Sequence, residues 1–163
     1  MSDVYLVDTN LLLRLRQPNS PFHLAALNAI TSLIEQGNSV CISAQNLIEF
    51  WSVDTRPVAS NGFGLSLADA ASERRRLEQD FDFLPDTEVI YPVWCSLIEK
   101  AGVSGKQVHD ARLVAICHTY AVPQLLTFNT SDFVRFVGIE PGLSLTHPKD
   151  IAEVEGNSPS MAE

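Results

Sequence analysis

Val4-Tyr5-Leu6-Val7-Asp8-Thr9-Asn10 constrains the fold more than any other stretch, because four residues of buried-strand character run straight into an acid, a hydroxyl and an amide. An apolar run this short, rich in β-branched and aromatic residues, reads as a central strand covered on both faces. Asp8 then stands at its carboxyl end, where open α/β sheets place their ligand crevices. A plainer role is also open, since Asp8 or Thr9 can N-cap a helix from Leu11 to Arg16.

The strand-then-helix alternation continues along the chain. Pro18 to Pro21 is a turn, and Phe22 to Gln36 carries apolar residues at helical spacing, closed by Gly37-Asn38. Val40-Cys41-Ile42 reads as a second buried strand, with Ser43 capping a helix from Ala44 to about Val53. Glu49 lies on that helix among Leu47, Ile48, Phe50 and Trp51, so its charge requires a compensating partner. Asp54 to Leu65 has loop composition, and Ser66 starts a helix running to about Asp82. Arg74-Arg75-Arg76 on it is the basic cluster of the sequence, either a face paired with Glu73, Glu78 and Asp80 or a contact for RNA. Val89-Ile90 is expected to be a third strand, followed by a helix from Val93 to Ala101 with Pro92 at its start. Asp110 falls in the first turn of a helix containing Ala111, Val114, Ala115 and Cys117, where it could serve the helix dipole alone. Gln124 to Thr127 is a further buried strand, leading into Phe128-Asn129-Thr130-Ser131-Asp132-Phe133, and Gly138 to Leu145 holds one more. We therefore expect residues 1–147 to form one domain and residues 148–163, which turn polar and small, to be a flexible C-terminal tail.

Composition narrows the chemistry. A chain of 163 residues can bury a sizeable core without staples. With 11 basic against 20 acidic side chains its net charge is -9, the wrong sign for holding nucleic acid by general attraction to phosphates. Any nucleic-acid role must then use local cations or metal ions. Cys41, Cys95 and Cys117 are odd in number, widely spaced and set in apolar surroundings, which suggests a reducing cytoplasm. No secretion signal opens the sequence, and no apolar run approaches the ~20 residues of a membrane span.

One arrangement repeats: strand then Asp8, strand then Glu49, helix start at Asp110, strand then Asn129 and Asp132. Parallel strands joined by crossover helices bring their carboxyl ends to one edge, so these groups can share a cleft. Clustered carboxylates raise one another's pKa unless a cation neutralises them. An oxygen-only donor set selects Mg²⁺ or Mn²⁺ over zinc, and such ions suit attack of water on a phosphodiester. The isolated His23, His118 and His147 read as ordinary polar or core positions, and Trp51 and Trp94 as core.

Val7-Asp8-Thr9-Asn10, the helical Glu49 after Ile42-Ser43, Val108-His109-Asp110-Ala111-Arg112 and Leu126-Thr127-Phe128-Asn129-Thr130-Ser131-Asp132-Phe133 resemble, in order and spacing, the acidic motifs of PIN-domain ribonucleases. The turn Gly64-Leu65-Ser66-Leu67 and the length resemble the VapC toxins of bacterial toxin–antitoxin pairs. The resemblance implies a three-layer α/β/α sandwich around a mainly parallel sheet. It implies a Mg²⁺- or Mn²⁺-dependent endoribonuclease acting in the cytoplasm on an RNA substrate, a cognate antitoxin inserting near the acidic pocket, and a homodimer. By position, Asp8, Glu49 and Asp110 match the three principal acids, as metal ligands that also position the water. Asn129 stands where the family often has Asp, and Asn129 or Asp132 would be the fourth catalytic residue. Thr9 and Asn10 fit supporting hydrogen bonds, and Arg112 would balance the charge.

Two other classes compete. The Asn129 departure makes a catalytically weak, PIN-like RNA- or protein-binding module conceivable. A hydrolase using Ser43 or Ser131 with His109 lacks a nucleophile elbow and an oxyanion-type glycine pattern.

Overall fold

We describe the protein from a computed structural model, over residues 2–151. The strand β1 (Val4–Val7) lies at the centre of a five-stranded sheet, between β2 (Ser39–Ser43) and β4 (Gln124–Leu126), with β3 (Asp82–Leu84) and β5 (Ser144–Thr146) at the edges. All neighbours pair in parallel, so every strand's carboxyl end reaches the same edge.

Pleating sorts the apolar side chains onto two faces, as alternation along a strand requires. Tyr5 and Val7, Val40 and Ile42, and Leu126 pack on one face, under α1 (Thr9–Leu15), α2 (His23–Glu35), α3 (Ala44–Thr55) and α4 (Leu67–Asp80). Leu6, Cys41 and Leu125 point the other way, under α5 (Ile90–Ala101) and α6 (Gln107–Thr119). The result is the expected three-layer α/β/α sandwich. Burial of Ala111, Leu113, Val114, Ala115, Ile116 and Cys117 makes α6 apolar around most of its circumference.

The strand order places a topological switch point at the middle of the sheet. From β1 the chain moves outward through β2 to β3, then returns to the far side of β1 as β4. Connections leave β1 and β4 in opposite directions, which opens a crevice outside their carboxyl ends.

Local chemistry fixes the elements near this crevice. Ser43 caps α3 in a reciprocal box: its hydroxyl accepts from the Asn46 amide N–H at 3.3 Å, while Asn46 Oδ1 accepts from the Ser43 N–H at 2.8 Å. Gly37, at φ 84°, ends the α2 region in a left-handed turn that a Cβ would strain.

Three expectations are corrected. The third strand is Asp82–Leu84, and Val89-Ile90 instead cap and open α5, with Pro92 in its first turn. The β-branched pair is drawn into a helix because Ile90 is buried there at 2% exposure, whereas the edge strand is half-open to solvent and carries little apolar signal. Helix α3 also runs on through Thr55, into the segment expected to be loop. Of the expected tail, Pro148–Asp150 form a short 3₁₀ turn with Pro148 buried, and residues 152–163 lie outside the described residues. No helix among the described residues is long and apolar enough to cross a membrane.

Candidate active site

The crevice holds a cavity of about 230 Å³ lined by Asp8, Thr9, Asn10, Glu49, Asp110, Asn129 and Asp132, with Leu13, Val53 and Phe133 as its apolar wall. Residues separated by more than a hundred positions meet here because β1 and β4 are neighbours and α3 and α6 approach the same edge. The five groups expected to act catalytically, and two of the three expected to support them, Thr9 and Asn10, line this one cavity, whereas Arg112 does not.

Two of the three principal acids, Asp8 and Glu49, are held by side-chain donors. Asp8 follows β1; its backbone N–H extends the ladder to the Leu126 carbonyl at 2.9 Å, and its Oδ2 accepts from the Thr127 hydroxyl at 2.8 Å. Thr127 Oγ1 also accepts the Asn129 N–H at 3.0 Å, so one hydroxyl sets both the acid of β1 and the loop beyond β4. Glu49 Oε2 accepts from Thr9 Oγ1 at 2.6 Å, and Oε1 accepts from Gln45 Nε2 at 2.9 Å. Thr9 is itself fixed by Asn46 Nδ2, at 3.0 Å, which also donates to the Val7 carbonyl at 2.9 Å.

Arg112 lies outside the cavity wall and reaches it indirectly. Its guanidinium donates to Gln45 Oε1 at 3.1 Å and to Asp86 Oδ1 at 3.1 Å, and Gln45 passes the connection to Glu49 and to the His109 carbonyl. Arg74 and Arg76 pair with Glu78 and Asp80 on α4, Arg75 donates to Ser72, and none of the three lines the acidic cavity.

Sequence inspection passed over Gln45, Asn46 and Thr127, which hold the acids in place. Gln45 was within reach of a spacing argument, sitting one helical turn before Glu49. Thr127 and Asn46 are uncharged, and only the strand pairing brings them to their partners.

Burial and mutual repulsion penalise the negative charge of this cavity. Burial pushes the Asp8 carboxyl up to about 6, opposed by the Thr127 hydrogen bond and reinforced by the charges of Glu49 and Asp110. Asp110 is raised by burial, then by Asp132 and Glu49, and lowered slightly by His109. A divalent cation among these oxygens would relieve both the burial cost and the repulsion. The donors are hard oxygens, and among the described residues no three Asp, Glu, His or Cys side chains are drawn tightly enough to form a protein-only shell. Attachment through one or two carboxylates, with waters completing the shell, is how Mg²⁺ usually binds, and the donor set fits it.

A family model described as PIN domain matches residues 5–138. No curated protein matches significantly in sequence. Among solved structures, VapBC2 from Rickettsia felis, bound to a DNA fragment from its promoter, is 17% identical with a TM-score of 0.63, over 88% of this chain and 98% of that one. FitAcB from Neisseria gonorrhoeae is 19% identical with a TM-score of 0.63, over 90% of this chain and 99% of that one. VapC20 from Mycobacterium tuberculosis, a sarcin-ricin loop cleaving toxin, is 18% identical with a TM-score of 0.54, over 74% and 86%. At these identities the likeness establishes the fold.

Proposed function

The chain belongs to the PIN-domain family, and from that premise we propose that it is a metal-dependent endoribonuclease, the toxin of a toxin–antitoxin pair. The observation that carries this is the convergence of Asp8, Glu49, Asp110, Asn129 and Asp132 on one cavity at the switch point of the sheet. The names of the similar structures support it: complexes of toxin with antitoxin, and one toxin that cleaves an RNA loop.

Asp8, Asp110 and Glu49 would hold Mg²⁺ or Mn²⁺. When bound, the ion supplies Lewis-acid polarisation of the phosphoryl oxygen and a more acidic water. The chain supplies the positioning. Thr127 occupies one oxygen of Asp8 and leaves the other for the ligand, and Thr9 with Gln45 fixes both oxygens of Glu49. Asn129 or Asp132, which both line the cavity, would orient the attacking water. Asn129 in place of an acid lowers the negative charge of the site, and it is the one feature that favours a binding module instead.

The antitoxin is proposed to present a basic or Arg-bearing segment to the pocket, in keeping with a chain of net charge -9. A homodimer acting in the cytoplasm completes the proposal, and the three free thiols suit that compartment. The test is cleavage of a mixed pool of structured RNA by the purified chain with Mg²⁺ or Mn²⁺, with chelator, and by Asp110→Asn. Discrete products that vanish in both controls are expected. Absence of cleavage together with absence of metal binding would establish the binding module in its place.

A further inference from the structure

The carboxyl edge of the sheet carries a second feature, contiguous with the acids and made of aromatic and cationic groups. Arg14 directly follows Leu13, and Phe128 directly precedes Asn129; Leu13 and Asn129 both line the acidic cavity. The Phe22 ring leans on Phe128 with centroids 5.4 Å apart and planes 58° apart, and Phe128 meets His147 edge-on at 5.5 Å. The Arg14 guanidinium lies over the Phe22 ring, 5.4 Å from its centroid. These residues come from α1, the turn before α2, and the segments leaving β4 and β5, so the fold itself gathers them.

Two properties separate this ledge from ordinary apolar cover. Phe22 remains 44% exposed although it is held by two neighbours, so apolar ring surface is presented to solvent. Arg14 has no carboxylate within ion-pair distance among the described residues: its NH1 donates to the neutral Gln17 amide at 2.8 Å. The contrast with Arg16, two residues on, is direct, since Arg16 is taken up by Asp54 at 2.8 Å and by Glu73 at 3.8 Å. In a chain of net charge -9, an unpaired guanidinium beside a ring is matched to a ligand that is itself flat at one end and anionic at the other. A nucleotide has that form, with a base for the ring and a phosphate for the guanidinium.

We propose that Phe22, Arg14 and Phe128 form a stacking ledge that receives one nucleotide base beside the phosphate held in the acidic cavity. This rests on the nuclease function proposed above for the same site. Bases inside a continuous duplex already stack on one another and present no free face to the ledge, so duplex RNA is excluded at this position.

Binding in the presence of chelator tests the ledge without cleavage. The probes are a fluorescein-labelled RNA hairpin with an unpaired loop and a fully paired RNA duplex of the same composition, titrated with the full chain and followed by anisotropy. Phe22→Ala is expected to weaken hairpin binding roughly 5- to 100-fold, as loss of one base–aromatic stack does. Phe22→Tyr, which keeps the ring, should restore most of it, and Arg14→Gln should weaken it while Lys100→Gln, an equal charge change on the opposite face of the sheet, should not. Hairpin affinity unchanged in both Phe22→Ala and Arg14→Gln would overturn the ledge, as would an equal loss on the duplex, or a defect confined to binding of a protein partner. Arg14→Gln carries the test if thermal unfolding shows Phe22→Ala to be misfolded. A chain that binds the hairpin through these residues yet cuts no RNA with metal would refute the nuclease and keep the ledge; the converse pattern would do the reverse.

Discussion

Asp8 is the residue on which fold and chemistry meet, and its carboxyl is costly to the free protein. Burial holds it near 6 against an ordinary 3.8, so between those values the folded chain keeps a proton that the unfolded chain has released. The sign follows: the cation-free protein loses stability as pH rises from about 4 to about 6, and above that carries the full penalty, about 3 kcal/mol. Asp8→Asn retains an oxygen for Thr127 and removes the charge. In chelator its thermal midpoint should exceed that of the parent at pH 7.5, and the gap should close toward pH 4. With metal the same variant should lose about 10²-fold or more in RNA cleavage, and the metal concentration that supports half-maximal cleavage by the parent should rise as pH drops through about 6, where protons compete with the cation; a metal requirement unchanged with pH would remove Asp8 from the metal. Asp8, Glu49 and Asp110 were all legible in the sequence, because an acid at the end of an apolar strand, among the apolar residues of a helix or in a helix first turn leaves a local mark. Thr127 leaves none, and its bond to Asp8 spans 119 positions.

Helix α3 is held in place from one end. Asn46 is fully buried, closes the capping box with Ser43, and donates to the Val7 carbonyl and the Thr9 hydroxyl, tying the start of α3 to the end of β1. Glu49 stands three residues further along and inherits its position from that joint. Asn46→Ala strands several buried donors and acceptors at once, and denaturant unfolding should report a loss of roughly 2–4 kcal/mol, against about 1 kcal/mol for Ser43→Ala, which removes a cap alone. The strands and helices of the interior could be read from the sequence because full burial writes an unbroken apolar pattern, as in Tyr5-Leu6-Val7. Strand β3 could not: it lies at the sheet edge, Asp82 and Phe83 are exposed, and parallel pairing with Cys41 and Ile42 makes it a strand.

Across the chain, acidity limits how RNA can be held. With a net charge of -9 and four of its eleven basic side chains, Arg16, Arg74, Arg76 and Arg112, engaged by carboxylates, the chain carries no excess of cations to meet phosphates. Single-stranded binding loses about 0.7 in log K per log unit of salt for each phosphate contact. One or two contacts then predict a slope of about -1, measurable by repeating the hairpin titration across a range of salt; a slope of about -4 or steeper would reveal a basic surface that the ledge does not include. The sheet order has a consequence for how such a protein is made. Its central strand is translated before the rest of the sheet, yet the cavity needs Asn129 and Asp132 as well as the partner strand at 124–126. At roughly 5–20 residues per second of synthesis, the first acid waits many seconds for the last. Throughout that interval the nascent polypeptide has no assembled pocket, so the nuclease proposed here would spare the ribosome and message producing it until nearly all of the domain has emerged.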